Sequence, residues 1–496
     1  QTALLHFEDR HFEDHHGVYL PSLGKAMVEN IEAGRVVRGG STITMQVIRL
    51  SRGNPDRTYL EKLAEIFRAL RLELKHDKRS ILRFYAAHAP MGGNIIGLET
   101  ASWRYFGRPA HQLSWAESAT LAVLPNAPSL LYPGKSIDAL KAKRDRLLRG
   151  LHQAGYFDSL TLSLSMDEPI PDAPKALPQL ALHALEYLRK VQPDLHLFKS
   201  TLDFRTQKRA EATVRAHSQR LSANLVENAA AIISETPTGN IVAYVGNSGR
   251  DRAGGHVDII HAPRSPGSTL KPFLYMQMLD DGLLTPQALR RDLPVNLNGF
   301  QPENFDNRYR GRVKADIALA RSLNVPAVLQ LREYGAVPFH RKLQLLGFNH
   351  MNEQTSHYGL SLVLGGAEVT LWELHAAYRK MGSVLLDYQR LNAKYSNETP
   401  TLKLLTTPEQ NVEESATEPK FFSAGAAWAC IEALQKVVRP ESEGGWERTG
   451  KNAHIAWKTG TSYGFRDAWA SGLNPAYTVT VWTGNANGVG RPGSSA

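Results

Sequence analysis

RSPGSTLKPFLY, residues 264–275, places a serine and a lysine three apart behind a turn. Pro266-Gly267 breaks any preceding element. Pro272 is tolerated only where a helix begins, so Ser268 is expected in the first turn of a helix. At i and i+3 the hydroxyl and the amine share one face, and Lys271 can take the serine proton if burial or a neighbouring cation lowers its pKa. A single S-x-x-K is a weak signal. Two further short stretches lie downstream in order: Ser322-Leu323-Asn324 in ALARSLNVPAV, and Lys458-Thr459-Gly460-Thr461 in a strand-like run. Taken singly, the first reads as a helix cap and the second as a turn.

The bulk numbers bound what surrounds these stretches. At 496 residues, and roughly 150 residues per domain, the length allows about three domains, each able to bury a core. A hydrophobic content of 42% with 21% charged residues is ordinary for a folded protein. The net charge of +10 suits an anionic partner, such as nucleic acid, lipid headgroups or a diphosphate, without choosing among them. The single cysteine, Cys430, excludes an intrachain disulfide and a multi-cysteine zinc site and reads as a small buried apolar residue. No apolar run is long enough to span a bilayer, and the residues that follow Gln1 do not read as a signal peptide. The chain opens at Gln1 and closes on GRPGSSA; both ends look cut, with a membrane anchor expected upstream.

The pattern is helical from Leu20 to about Leu164. Leu23, Met27, Val28 and Ile31 recur at helical spacing, and AGR (33–35) supplies a glycine stop. RTYLEKLAEIFRALRLELK repeats the pattern, with Leu60, Leu63, Phe67 and Leu70 on one stripe and Lys62 and Glu65 together on another face. LSWAESATLAVLPNAPSLLYP reads as a helix closed by Pro125 and Pro128. Four prolines in MDEPIPDAPKALPQL (166–180) mark a stiff connector and a domain boundary. Beyond it, AAIISETPTGNIVAYVGN (230–247) carries a hairpin signal at Pro237-Thr238-Gly239-Asn240. HIAWKTGTS and AYTVTVWTG are further strands expected to share its sheet. STLKPFLYMQMLDDG and EVTLWELHAAYRKMG are helices between them. The second half is therefore α+β.

The ordered set S-x-x-K, S-x-N and K-T-G, with RSPGSTLKPFLY, FQPENFDNRYRGRV and GLSLVLGGAEVTLWEL around it, resembles the transpeptidase domain of class A penicillin-binding proteins. The resemblance implies that Ser268 is the nucleophile and Lys271 its base. Ser322 would relay a proton to the leaving amine, Asn324 would hold the donor peptide's amide, and Lys458 would sustain the electrostatics. Thr459 and Thr461 would bind a substrate carboxylate, and Gly460 would let the peptide lie along the strand edge.

The N-terminal third resembles the peptidoglycan glycosyltransferases of glycosyltransferase family 51. The matching stretches are Glu8-Asp9-Arg10-x-Phe12-x-x-His15-x-Gly17, GGSTITMQVIRL (39–50), RTYLEKLAEIFRALRLE (57–73), MGGNIIGLETASWRYFGR (91–108) and ESATLAVLPNAPSLLYP (117–133). Attack of a sugar hydroxyl on an anomeric carbon bearing a lipid diphosphate calls for carboxylates. By resemblance Glu8 is the general base and Glu65 assists at the diphosphate, directly or through a cation. Lys62, Arg49 and Arg10 would meet the phosphates, and Ser41, Thr42 and Gln46 would line the sugar cleft. Against this, His11 and His15 at i, i+4 could clasp zinc with Glu8 if that stretch were helical; in the matching family the His15 position organises the motif instead, and no metal ligand is assigned here. TMQVIRL and HAPMGG resemble the 1C branch of the family. Glu61, where an arginine is common, and Ala87, where an asparagine is expected, depart from the pattern.

The expected architecture is a mostly α, lysozyme-like glycosyltransferase domain over 1–165, a linker over 166–200, and an α+β penicillin-binding/β-lactamase-like domain over 201–496, with further chain missing at its C-terminus. The implied activity is bifunctional peptidoglycan synthesis on the outer face of the bacterial cytoplasmic membrane. Expected partners are lipid II, nascent glycan strands, stem peptides ending in D-Ala-D-Ala, β-lactams, the membrane and other cell-wall synthesis proteins, with no nucleic acid. No cofactor is required, and a divalent cation at the diphosphate site is compatible. The alternatives are a lipid II-binding scaffold, motivated by Glu61 and Ala87, and a serine β-lactamase or carboxypeptidase, which explains the second half only.

Overall fold

The computed structural model describes residues 1–32, 40–55, 58–126, 128–396, 401–406, 415–437 and 455–490. The chain forms two compact units, Gln1–Gln179 and Leu180–Ala496, where its length allows about three domains. The glycine stop expected at 33–35 lies outside the described residues, as do the side chains of Met27 and Ile31.

The first unit is helical. Its helices are α1 (Thr2–Glu8), α2 (Leu20–Glu32), α3 (Ile43–Ser51), α4 (Tyr59–Glu73) and α5 (Lys78–His88), followed by α6 (Leu98–Phe106), α7 (Trp115–Val123), α8 (Ile137–Gln153) and α9 (Ser159–Asp167). The caps are those that short polar side chains provide at orphan N–H groups. Thr42, Thr58, Asp77 and Asp158 each accept from a first-turn amide, and Ser114 forms a reciprocal capping box with Glu117. α7 ends at Val123, just ahead of Pro125. The core gathers Leu4, Phe12, Ile43, Ile81, Tyr85, Tyr105, Leu121 and Leu148.

The stripe Leu60, Leu63, Phe67 and Leu70 faces outward, with Phe67 68% exposed. The opposite face of α4 is the buried one: Ala69 packs on Met45 and Ile48 of α3, and Glu65 is 6% exposed. Hydrophobic spacing gives the helix but not its buried face, because periodicity records that a stripe exists and not which neighbour covers it.

Of the connector expected over 166–200, residues 182–191 form α10 (Leu182–Val191), whose Ala184 and Leu188 join the core of the second unit. The proline-rich residues 166–179 fall within the first unit, where Ile170 joins the core and Lys175 Nζ donates to Phe106 O at 3.1 Å, and the boundary comes at their end, between Gln179 and Leu180.

The second unit is a helix–sheet–helix sandwich. After α11 (Phe204–Leu221), the strands β1 (Asn228–Glu235) and β2 (Ile241–Val245) form the expected hairpin, turning at Gly239 with φ +75°. Then come α12 (Lys271–Asp280), β3 (Leu289–Asp292), β4 (Gly311–Lys314), α13 (Ala315–Ala320) and α14 (Asn324–Tyr334). They are followed by α15 (Ala336–Leu346), α16 (Thr355–Tyr358), α17 (Leu371–Arg390), β5 (Tyr395–Ser396), β6 (Ser415–Ala416) and α18 (Ala424–Gln435). The last strands are β7 (Ala456–Thr461), β8 (Asp467–Leu473) and β9 (Tyr477–Gly484).

One antiparallel sheet has the order β2-β1-β9-β8-β7, so the early hairpin and the late strands do share it. β8 carries no signal strong enough to be read from sequence alone, because DAWASGL is rich in small residues. Alternation along β1 sends Ala229 and Ala231 to Ala210 and Val214 of α11, and Ala230 and Ile232 to the main core with α12, α17 and α18. His375 of α17 is fully buried between Ser234 and the Thr480 hydroxyl, where desolvation lowers its pKa to about 3, so it ties the helix to the sheet as a neutral ring. Cys430 is buried in the core. β7 is an edge strand, and its position decides the second site.

Candidate active sites

In the second unit Ser268 sits in a 3-10 turn, Gly267–Leu270, that runs directly into α12, with Pro272 at the start of the helix. The turn is locked from several sides. Thr269 Oγ1 donates to Pro266 O, Tyr378 OH to Thr269 O, and Trp469 Nε1 to Ser265 O. Strand β7 presses against it so closely that a Cβ on Gly460 would lie 2.3 Å from Pro266 O and 3.2 Å from Ser268 N, while one on Gly267, at φ +55°, would lie 2.5 Å from Thr461 O. Gly460 therefore makes room for the serine turn itself; the substrate-edge role expected for it does not account for its lack of a side chain.

The three motifs converge. Lys271 Nζ donates to Asn324 Oδ1 at 2.6 Å, to Ser322 O at 2.8 Å and to Leu323 O at 3.3 Å. Lys458 Nζ donates to Ser322 Oγ at 2.7 Å and to Thr459 O at 2.7 Å. Both amines are buried, at 3% and 1% exposure. Ser268 is half-buried, and its hydroxyl makes no hydrogen bond among the described residues, so the Lys271 amine is held by Asn324 and two carbonyls and not by the serine. A buried amine turns its protons to the fixed acceptors around it first, and in its neutral form it has two protons for these three.

Desolvation drives both lysines toward the neutral amine. Lys458 falls to about 7; Lys271 falls well below the usual lysine range, through burial first and the Lys458 charge second. Ser322 itself sits at φ +56° between α13 and α14, a left-handed conformation that costs a non-glycine residue energy. The turn is closed by Ser322 N to Leu319 O and Leu323 N to Ala318 O. Thr459 and Thr461 lie half-buried on the other face of β7 from Lys458. The site thus combines a partly exposed hydroxyl, two neutral-leaning amines and an amide side chain on the rim of a sheet edge. Those are the parts needed to activate an alcohol toward a carbonyl and to protonate a leaving amine.

In the first unit Glu8 ends α1 with its carboxyl buried. Gln46 Nε2 donates to Glu8 Oε2 at 2.7 Å, and Tyr85 OH donates to Gln46 Oε1 at 3.2 Å. The carboxylate, which can only accept, turns the amide nitrogen toward itself and leaves Gln46 Oε1 for the phenol. Oε1 of Glu8 is buried without a hydrogen-bond partner among the described residues. Burial raises the Glu8 pKa, opposed by the Gln46 bond and by the charges of Lys143 and Arg49. A carboxyl so placed is a stronger base than a solvated one. Tyr85 is missing from any sequence-based site list because its spacing marks it only as a core residue of α5.

Arg49 also reaches Glu65, Nε to Oε1 at 3.7 Å, while Lys62 Nζ lies 3.3 Å from Glu65 Oε2 and donates to Ser41 Oγ at 2.6 Å. Lys62, Glu65, Arg49 and Ser41 therefore form one cluster. Thr42 does not serve a sugar cleft. It is 3% exposed, and its hydroxyl donates to Gly17 O at 2.6 Å and accepts from Met45 N at 3.2 Å, capping α3. Arg10 is exposed, and its Nε donates to His6 O at 3.0 Å, with no described bond to the Lys62 cluster.

α1 stops at Glu8, so His11 and His15 are not one helical turn apart. His15 Nε2 faces Asp9 Oδ2 at 3.0 Å, and its Nδ1 accepts from Gly17 N at 3.1 Å; His11 pairs with Asp14 and stacks on Tyr19. Asp9 Oδ2 also accepts from Ile43 N at 3.0 Å, tying the opening motif to the start of α3. No three His, Cys, Asp or Glu side chains converge as ligands among the described residues. Glu61 is neutralised by a two-pronged pair with Arg52, and Ala87 is exposed near the end of α5. Neither departure touches Glu8, Gln46 or Tyr85.

A family profile described as Transglycosylase matches residues 1–152, and one described as Penicillin binding protein transpeptidase domain matches residues 229–487. The chain is 37% identical over 490 residues to Penicillin-binding protein 1C of Escherichia coli strain K12, covering 98% of this chain and 60% of that protein. It is 28% identical to Penicillin-binding protein 1F of Bacillus subtilis strain 168, covering 98% of this chain and 69% of that protein. The crystal structure of Penicillin-Binding Protein 1A from Haemophilus influenzae shares the fold, with a TM-score of 0.55 at 17% identity over 91% of this chain and 85% of that one. The chain thus spans about 60% of the length of the first of these relatives. With a transglycosylase-type helical unit followed by a penicillin-binding transpeptidase unit, it belongs to the class A penicillin-binding proteins.

Proposed function

We propose that the protein is a bifunctional peptidoglycan synthase, polymerising lipid II through its first unit and cross-linking stem peptides through its second. The observation that carries this reading is the convergence of Lys271, Ser322, Asn324 and Lys458, drawn from three distant segments, on the turn that bears Ser268.

In the second unit Ser268 Oγ attacks the carbonyl of a D-Ala-D-Ala terminus, or of a β-lactam ring, and gives its proton to the neutral Lys271 amine. The C–N bond breaks, and the leaving amine takes a proton through Ser322, which Lys458 orients. Thr459 and Thr461 receive the terminal carboxylate. In the first unit Glu8 removes the proton from the acceptor sugar's 4-hydroxyl as that oxygen bonds to the anomeric carbon and the lipid diphosphate departs. Lys62 and Arg49, both beside Glu65, carry positive charge toward the diphosphate without requiring a bound cation; Ser41 is fixed by Lys62. Gln46 acts through Glu8. Such a substrate requires the membrane surface, so the catalytic units work on the outer face of the cytoplasmic membrane. Among the described residues no helix is long and apolar enough to cross it.

One assay tests both halves. Lipid II is supplied with and without penicillin, and glycan polymer and cross-links are measured separately. Polymer lost in Glu8→Gln, and cross-links lost in Ser268→Ala, are expected; a protein that binds lipid II but forms no polymer would be a scaffold.

A further inference from the structure

We infer that Asn304, oriented by Asp292, is a positioning residue for the transpeptidase site, setting the place of Asn324 and through it of the Lys271 amine. This rests on the acyl-transfer reading of the second unit and extends it to residues outside the three motifs.

Asp292 ends β3 and is 0% exposed, and Asn304 is 2% exposed. A carboxylate can only accept. Asp292 Oδ1 accepts from Asn304 Nδ2 at 2.7 Å, and Asp292 Oδ2 accepts from Arg310 N at 3.0 Å with the Arg310 guanidinium 3.8 Å away. Asn304 Nδ2 also donates to Arg308 O at 2.8 Å. Both amide protons are thereby used, so Asn304 Oδ1 must face the other way. There it accepts from Asn324 N at 2.8 Å and Val325 N at 3.3 Å, the first two amides of α14. An ordinary cap side chain comes from the residue just before the helix; this one arrives from a loop 20 residues upstream.

The neighbouring backbone completes the hold. Glu303 O accepts from Asn324 Nδ2 at 2.7 Å, which turns Asn324 Oδ1 to the Lys271 amine at 2.6 Å. The loop therefore fixes both the main chain and the amide orientation of Asn324. The strained turn at Ser322, φ +56°, is anchored at one end by the same helix start. A run of single acceptor-to-donor choices thus connects Asp292, Asn304, Asn324 and Lys271. Each amide in it has one orientation that satisfies its neighbours, and the orientation at Asn324 is the one that presents an acceptor to the amine.

The test is the second-order rate of Ser268 acylation by fluorescent penicillin in the full chain, with thermal melting measured alongside. Absence of labelling in the parent protein would overturn the acyl-transfer reading itself. Given parent labelling, Asn304→Ala and Asp292→Asn are each expected to slow acylation roughly 10- to 100-fold while melting cooperatively as folded protein.

The decisive variant exchanges the two groups, Asp292→Asn with Asn304→Asp. An asparagine at 292 can donate to an aspartate at 304, which still accepts from both α14 amides, but the aspartate has no proton for Arg308 O, so the rate is expected to recover in part, to clearly above that of either single variant. Parent-like acylation in Asn304→Ala would overturn the proposal. So would an exchange variant that is folded yet as slow as the single variants. If Asn304→Ala does not fold, the exchange variant and Asp292→Asn decide by the same two criteria.

Discussion

Lys458 Nζ lies 2.7 Å from Ser322 Oγ, joining two side chains 136 residues apart in the chain. The amine donates, which leaves the serine proton free to point into the groove. Ser322→Ala removes this relay and strips the buried amine of one of its two acceptors. Acylation of Ser268 by labelled penicillin is expected to fall about 100-fold, with melting little changed. A parent rate in Ser322→Ala would take that hydroxyl off the proton path.

The paired lysines make a pH prediction. Burial, and then the Lys458 charge, depress Lys271. The base is needed neutral, so the acylation rate rises as pH climbs through the Lys271 pKa, which lies well below the usual lysine range. Lys458→Met removes the repulsion, the Lys271 pKa moves up, and the acid limb of the rate–pH profile moves to higher pH. A limb that stays put or moves to lower pH would show that the two amines do not sense each other.

Glu8 offers the matching case in the first unit. The Gln46 bond stabilises its carboxylate and lowers a pKa that burial raises. In Gln46→Leu that stabilisation is lost, so Glu8 holds its proton to higher pH. The acid limb of glycan polymerisation from lipid II is then expected to shift upward. Polymerisation with an unshifted profile in this variant would mean that Gln46 does not act through Glu8.

Gly460→Ala puts a methyl group 2.3 Å from Pro266 O. Overpacking of this kind costs about 1–3 kcal/mol, read as a lower denaturant midpoint, and displaces the serine turn so that penicillin labelling slows. Gly425→Ala in α18 is the control, since its nearest neighbour would be Ser423 Oγ at 3.7 Å; it is expected to be neutral or slightly stabilising.

The outward stripe of α4 predicts that Phe67→Ser changes stability by no more than about 0.5 kcal/mol, as an exposed substitution does. Ile81→Ala in the main core of the first unit is expected to cost about 2–5 kcal/mol. A large loss in Phe67→Ser, measured by urea unfolding, would place that face in contact with protein.

Much of this protein is legible along the chain. The Pro266-Gly267 turn, the helix start at Pro272 and the hairpin about Gly239 follow from restrictions on backbone angles within a few residues of each other. Those constraints are local, so sequence alone determines them, and the ordered motifs single out Glu8, Ser268, Lys271 and Lys458 as candidate site residues. Only the tertiary structure decides which acceptor each buried group takes. It gives Lys271 to Asn324 and not to Ser268, turns Thr42 into a cap, sends the Leu60–Phe67 stripe outward, assigns the missing Cβ of Gly460 to the serine turn, and places Tyr85, Asp292 and Asn304 behind the reacting groups. A hydrogen bond or a buried face is a choice among distant partners, and it is settled by which strands and helices end up adjacent when the sheet orders itself β2-β1-β9-β8-β7.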